Sequence, residues 1–326
     1  MQRKIAIGLV SILLITCGAY SGANADTVLF PVLVISPAGG VVTVVSVTNS
    51  GPYSGYLLYS YSIKKDDYGN GCFRAPDIVR NDYVPDIVSF DASGLLGGGN
   101  ALFNDTDSYG GSFSLPPYGG EPYRGYLLVS NSNAAGGRVD VGAFNSLGGE
   151  AIIMDIISGS AWGYKAINDR ASEDFSFNSA ANEPAGLVNV VDPGQSVRFT
   201  FFDLASWTTK FFVTPIGDNM YSYGRISTIM LRSSNISPGI NGREGDIYNF
   251  SLPVYVNCTA AVKLTDLMDS TSIAALYYKG GWGRIGVEHG HDSAIIYKLE
   301  YTFASPYVPS GASNNNGVLI SDVDSW

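Results

Sequence analysis

Apolar and polar positions along the chain alternate with a period of two far more often than they recur at helical spacing. Thr27–Ile35 and Val41–Thr48 are rich in Val and Ile, and Ser36-Pro37-Ala38-Gly39-Gly40 separates them. Two strands and a turn are the reading. Asn49-Ser50-Gly51-Pro52 predicts a second turn and Tyr56–Ile63 a third strand. Further strands are predicted at Ile87–Phe90, Gly111–Leu115, Gly125–Ser130, Glu150–Ile157, Trp162–Ile167, Ser196–Phe202, Lys210–Thr214, Gly224–Arg232, Ile247–Asn257, Trp282–Val287 and Ala294–Phe303. In Tyr248, Phe250, Leu252, Val254 and Val256 an apolar face opposes Asn249, Ser251 and Asn257. In Ile295, Tyr297, Leu299, Tyr301 and Phe303 it opposes Lys298, Glu300 and Thr302. One buried and one wet face is the pattern of an antiparallel sheet. The best short helix candidate is Val262–Met268.

Many short strands punctuated by Gly, Pro and Asn predict an all-β fold, an antiparallel β-sandwich of immunoglobulin-like or jelly-roll type, as one domain or two packed ones. The alternative is a β-barrel of the outer-membrane kind, because Tyr297–Phe303 resembles a barrel-terminal strand. Against it, Val41–Val47 is apolar on both faces, and Trp326 shares its face with Asp322 and Asp324, which lipid would reject. The expected organisation is a leader over 1–25, an N-terminal sandwich over 26–170, a C-terminal β-rich unit over 187–309, and a flexible tail over 310–326. The polar stretch Ala171–Gly186 is the expected linker or long loop.

The leader reading rests on Arg3 and Lys4, an apolar run from Ile5 to Ile15, and Ala23-Asn24-Ala25. That is a basic start, a short apolar core and an A-x-A cleavage site, so the mature chain is expected to begin at Asp26. A rival reading lipidates Cys17, but Thr16 is a poor fit just before a lipidated Cys. Export to the periplasm, cell surface or extracellular space is the expectation. The net charge is −10, and removing the leader takes away basic residues only. So acidic a chain is a poor binder of nucleic acid. Nothing after the leader is apolar over the ~20 residues that a transmembrane helix needs. Cys72 and Cys258 would meet an oxidising compartment, and a disulfide between them is the preferred reading over two buried thiols.

The stretch Val41–Ile63 is similar to the early strands of immunoglobulin-like extracytoplasmic sandwiches. Asp192-Pro193-Gly194-Gln195-Ser196-Val197-Arg198-Phe199 is similar to a turn and first strand common in such domains. These likenesses imply an architecture and no activity. Tyr53–Ser60 also resembles Tyr123–Ser130, each after a Pro. Two strands drawn from the same common residues explain this more simply than a duplicated half-domain.

Candidate chemistry is sparse. His289 and His291, the two histidines of the chain, lie two apart in Glu288-His289-Gly290-His291-Asp292. On a strand both imidazoles would share a face and reach one metal, whereas a polar turn would leave them solvated. Asp66-Asp67-Tyr68-Gly69-Asn70-Gly71 and Asn104-Asp105-Thr106-Asp107 are oxygen-rich loops of the kind calcium favours. Asp105 and Asp107 begin like a D-x-D calcium loop. Tyr109 and Pro116 then break the pattern, and backbone-capped Asx turns are the commoner explanation. Calcium is the one cofactor these loops suggest. No G-x-S-x-G nucleophile elbow, P-loop, Rossmann glycine motif or haem-attachment motif occurs. Paired carboxylates for glycoside hydrolysis stay open, since their spacing is spatial. Trp162 and Trp282 begin strands beside glycine, where a large ring usually covers the core. Trp207, read as loop, is the better ligand-binding candidate.

The function expected is therefore that of an exported, non-catalytic β-sandwich protein serving as a structural, adhesive or surface-assembly component. Its partners would be other protein subunits, a second copy of itself, or surface glycan. A carbohydrate- or ligand-binding module is the alternative, and the outer-membrane barrel follows.

Overall fold

A computed structural model describes residues 27–36, 40–50, 55–65, 71–82, 86–103, 111–115, 123–139, 147–156, 160–169, 190–221, 225–234, 237–302 and 320–321. The leader over 1–25, the acidic loops at 66–70 and 104–107 with Asp105 and Asp107, the linker over 171–186 and all of the tail but 320–321 lie outside the described residues.

The fold is all-β. Its named strands pair antiparallel in four open sheets, and none closes into a barrel. Sheet I runs β10 (Ile167–Asp169), β1 (Thr27–Ile35), β7 (Tyr123–Ser132), β3 (Gly55–Lys65) and β4 (Phe73–Arg74), with β5 (Ile78–Asp82) also on β3. Sheet II runs β6 (Asp86–Asp91), β2 (Val41–Asn49), β8 (Leu147–Asp155) and β9 (Ser160–Lys165). Sheet III runs β11 (Val190–Val191), β20 (Ser293–Thr302), β13 (Trp207–Ile216) and β18 (Ala260–Lys263), with β21 (Ile320–Ser321) on β20. Sheet IV runs β16 (Ile247–Tyr248), β15 (Ile240–Gly242), β19 (Gly281–Val287), β14 (Ile226–Arg232) and β17 (Val254–Asn257), with β12 (Ser196–Phe201) on the far side of β19.

Two apolar clusters hold these layers. The first takes Phe30 from sheet I, Phe90 and Trp162 from sheet II, and Phe212 and Tyr297 from sheet III. The second lies between sheets III and IV, with Phe199, Phe211, Ile229, Ile285 and Ile296. Sheet III therefore serves both clusters. On β20, Ile295, Tyr297 and Leu299 face the first, and Ala294 and Ile296 the second. Large apolar side chains fully buried contribute roughly 1.5–3 kcal/mol each. Tyrosine fills much of the first cluster because its hydroxyls find acceptors: Tyr61 donates to the Phe113 carbonyl at 2.7 Å and Tyr126 to that of Met220 at 2.9 Å. Gly125 lets β7 approach β3, since a Cβ there would stand 2.0 Å from the Ser62 carbonyl oxygen.

Several bonds cross from sheet I to the later half. The Cys72–Cys258 disulfide is present, over a sequence separation of 186. Pro31 lies in a bulge of β1 between Phe30 and Leu33, and its carbonyl oxygen accepts hydroxyl protons from Thr214 and, at 3.3 Å, Thr259. Arg74 lies 3.3 Å from the ring centre of Tyr221 and pairs with Asp77, to which Tyr221 donates at 2.7 Å and Ser60 at 2.8 Å. Burial works against ionisation of Asp77, yet hydrogen bonds from Arg74, Tyr221 and Ser60 hold its carboxyl below the ordinary value.

Four expectations change. Gly111–Leu115 forms no strand; its Phe113 and Leu115 amides bond instead to the carbonyls of Gly99 and Ala92. The strand expected over Ile247–Asn257 breaks into β16 and β17 around Pro253, which has no amide proton to give a ladder. Phe250 and Leu252 are consequently exposed. Val262–Met268 is not a helix: β18 ends at Lys263 and a single 3-10 turn covers Leu264–Leu267. The α-helix, α1, follows at Ser270–Leu276, where Asp269 Oδ1 accepts from the Ser272 amide at 2.9 Å. Finally, Lys298 and Glu300 are not on a wet face. A second sheet covers them.

Candidate functional site

The outer face of sheet IV follows from strand alternation. Along β12, Val197, Phe199 and Phe201 pack toward the second cluster, so Ser196, Arg198 and Thr200 face outward. Along β19, Ile285 and Val287 point in, and Trp282, Arg284 and Gly286 point out. On β14, Ile229 and Leu231 point in, and Met230 and Arg232 out. Register then sets Arg198 opposite Arg284, and Arg284 opposite Arg232. Three guanidinium side chains form one row across three strands, whose spacing is ~4.8 Å per strand. The next row is Thr200, Trp282 and Asn241.

Arg284 is anchored: its Nε donates to Ser196 Oγ at 2.8 Å and its Nη2 to the Ser196 carbonyl at 2.7 Å. Gly286 leaves room for Arg232, whose Nε would be 3.1 Å from a Cβ at that position. Burial, and then the like charges of Arg198 and Arg232, lower the Arg284 guanidinium from its usual value. Among the described residues no carboxylate pairs with Arg198 or Arg284.

At one end of this sheet the surface turns aromatic. Phe202 follows β12 and lies 4.7 Å, ring centre to ring centre, from Trp207 at the start of β13. Phe202 is 46% exposed, Tyr278 81% and Trp282 40%. The Tyr277 and Tyr278 rings meet edge to face at 4.8 Å. Backbone contacts bring these pieces together. The Ala205 amide donates to the Tyr277 carbonyl at 2.8 Å. Gly280, at φ 64°, passes so close to β12 that a Cβ would be 2.7 Å from the Phe201 carbonyl oxygen.

Beneath this end lies a buried ion pair. Lys298 and Glu300, 4% and 2% exposed, share a face of β20, and Lys298 Nζ stands 3.2 Å from Glu300 Oε2. Lys298 Nζ also donates to the Thr200 carbonyl at 2.8 Å. Glu300 Oε1 accepts from the Phe202 amide at 3.0 Å and from Thr209 Oγ1 at 2.9 Å. The pair thus ties the end of β12, and with it Phe202, to sheet III.

No known protein family, curated protein or solved structure matches this chain.

Trp207 is the first residue of a strand rather than a loop residue, and it is half-buried against Phe202. Trp162 is buried, in stacked contact with Phe212 at 5.9 Å. Trp282, expected over the core, faces outward, because Gly281 and Gly283 carry the inward positions of β19 against Phe201 and Phe199. His289 and His291 lie on the turn from β19 to β20. The His289 ring sits where a Cβ at Gly194 would be, 2.1 Å from its Cε1, while His291 Nε2 lies 3.9 Å from Glu288 Oε2. Asp292 turns away to accept from the Ile226 amide at 3.0 Å. Among the described residues no three His, Cys, Asp or Glu side chains come together as metal ligands. The arginine row was missed from sequence. Arg198, Arg232 and Arg284 are 34 and 52 residues apart in the chain, and only strand register brings them together.

Proposed function

We propose that the protein is exported and works without catalysis, as an adhesive surface-contact component whose contact site is the aromatic end of sheet IV. The observation that carries this reading is the solvent exposure of Phe202, Tyr277, Tyr278 and Trp282 together at one end of a rigid sheet. Aromatic rings at a strand end, backed by a fixed β-layer, offer flat apolar faces suited to sugar rings. The leader pattern over 1–25 and the Cys72–Cys258 bridge support export, since disulfides persist in oxidising compartments. Affinity electrophoresis of the chain from Asp26 through gels containing polysaccharides tests it. Wild type is expected to be retarded, and F202A/Y278A to be retarded less. Equal migration of the two proteins in every gel would refute this contact site.

A second reading, assembly with further copies, draws on a different surface. Ile247, Phe250, Leu252 and Tyr255 are exposed along the edge of sheet IV that β16 and β17 form. An apolar open edge is a template for pairing with another chain. Light scattering after size exclusion separates the readings: a defined oligomer lost in F250D/L252D supports assembly, and a monomer supports the contact site alone.

A further inference from the structure

We propose that the row Arg198–Arg284–Arg232 binds the carboxylate or sulfate groups of an acidic polysaccharide, with Trp282 stacking on an adjoining sugar ring. The inference rests on the surface-contact reading and names its ligand class. It begins from an electrostatic oddity. The chain carries 19 basic and 29 acidic residues, yet the register of β12, β19 and β14 sets three arginines side by side. Like charges placed directly opposite on neighbouring strands destabilise a sheet. No carboxylate among the described residues relieves Arg198 or Arg284, and the charges that act on Arg284 are those of its two arginine neighbours.

The arrangement is also built in advance of any ligand. Ser196 fixes Arg284 with two bonds, and Gly286 opens the space beside Arg232. Arg198 is exposed and Trp282 presents its ring two residues from Arg284 on the same face. A guanidinium offers paired donors that match the two oxygens of a carboxylate or sulfate. An indole beside it supplies the apolar surface that a sugar ring covers. Charge complementarity thus selects an anionic occupant, and the neighbouring ring selects one that carries sugar.

The test uses the chain from Asp26 at near-physiological salt, with polygalacturonate, dextran sulfate and neutral dextran as probes, read by calorimetry. Both charged polymers are expected to bind and dextran to bind far more weakly. R198A should weaken the charged polymers about tenfold, R198E should weaken them further, and W282A should weaken them with the salt dependence unchanged. The distant exposed variant K263A should bind like wild type. Because Arg198 is exposed and its side chain bonds to no other strand, circular dichroism of R198A and R198E is expected to match wild type. Unchanged binding by R198E overturns the proposal, as does dextran binding as tightly as the charged polymers. So does an Arg198-dependent capture of anionic lipid vesicles, DNA or a second copy in place of polysaccharide. Dextran binding that F202A/Y278A abolishes and R198E leaves intact would overturn the arginine site while leaving the aromatic contact site standing.

Discussion

Replacing Lys298 by Met probes how the aromatic end is held. The methionine keeps the length and apolar stem of lysine and removes its charge. Glu300, 2% exposed, would then be a buried carboxylate that keeps its bonds from the Phe202 amide and Thr209 but has lost its cation. The Thr200 carbonyl would lose its donor as well. Removing one member of a buried pair costs about 3–5 kcal/mol, most of it from the charge left behind. K298M/E300Q removes both charges while the glutamine oxygen still accepts from Phe202 and Thr209. Its cost should be smaller than that of K298M alone, so the double-mutant cycle should show a coupling of about 1–3 kcal/mol. Urea denaturation followed by circular dichroism and tryptophan fluorescence measures each term. The midpoint should fall with the slope unchanged, as for a loss of stability without a change in compactness. A loss below about 1 kcal/mol in K298M is the value typical of exposed pairs, and it would refute the claim that Lys298 and Glu300 act as a buried clamp.

The other predictions use different parts of the molecule. C72S/C258S, or reduction of wild type, should lower stability by about 2–4 kcal/mol because the bridge closes a very long loop in the unfolded chain; denaturation with and without dithiothreitol measures it. Asp77 has a folded-state pKa below its ordinary value of 3.8, so its contribution is present above that value and is lost as pH falls through the folded one. Stability of wild type should therefore drop more steeply than that of D77N as pH is lowered below about 4, and parallel slopes in urea melts across that range would contradict the assignment.

Much of the fold was legible because its signals are local. The valine-rich run of β2 and the alternation of β12 each report burial from neighbouring residues alone. What failed was non-local. The polar face of β20 is indistinguishable in sequence from a solvated one, and only the layer above it makes Lys298 and Glu300 a buried pair. The arginine row depends on which strands neighbour β19, and β14 and β15 share one side of it in tandem. Trp282 escaped for a related reason. The glycines beside it were read as flanking a core residue, when in the folded chain they are the residues that meet the core rings. The cysteine pairing was simpler, since the two cysteines beyond the expected leader had one partner each available.

The position of sheet III leads to a last expectation about cooperativity. Sheets I and II are built from residues before 170, and sheets III and IV from residues after 189. Strands alone would therefore allow two units that unfold separately. The side chains argue otherwise. Phe212 and Tyr297 of sheet III complete the first cluster, stacking on Trp162 at 5.9 Å and meeting it edge to face at 5.2 Å. On the same two strands, Phe211 and Ile296 complete the second. Losing sheet III would open both clusters, and losing sheets I and II would expose one whole face of sheet III. Neither half can melt without exposing several large rings of the other, at roughly 1.5–3 kcal/mol each, and the disulfide joins them besides. Calorimetry of the oxidised chain should accordingly show one transition, with calorimetric and van't Hoff enthalpies equal. F212A should shift that transition as a whole. Two resolved transitions in wild type, with F212A moving the later one only, would mean that the shared layer does not couple the halves.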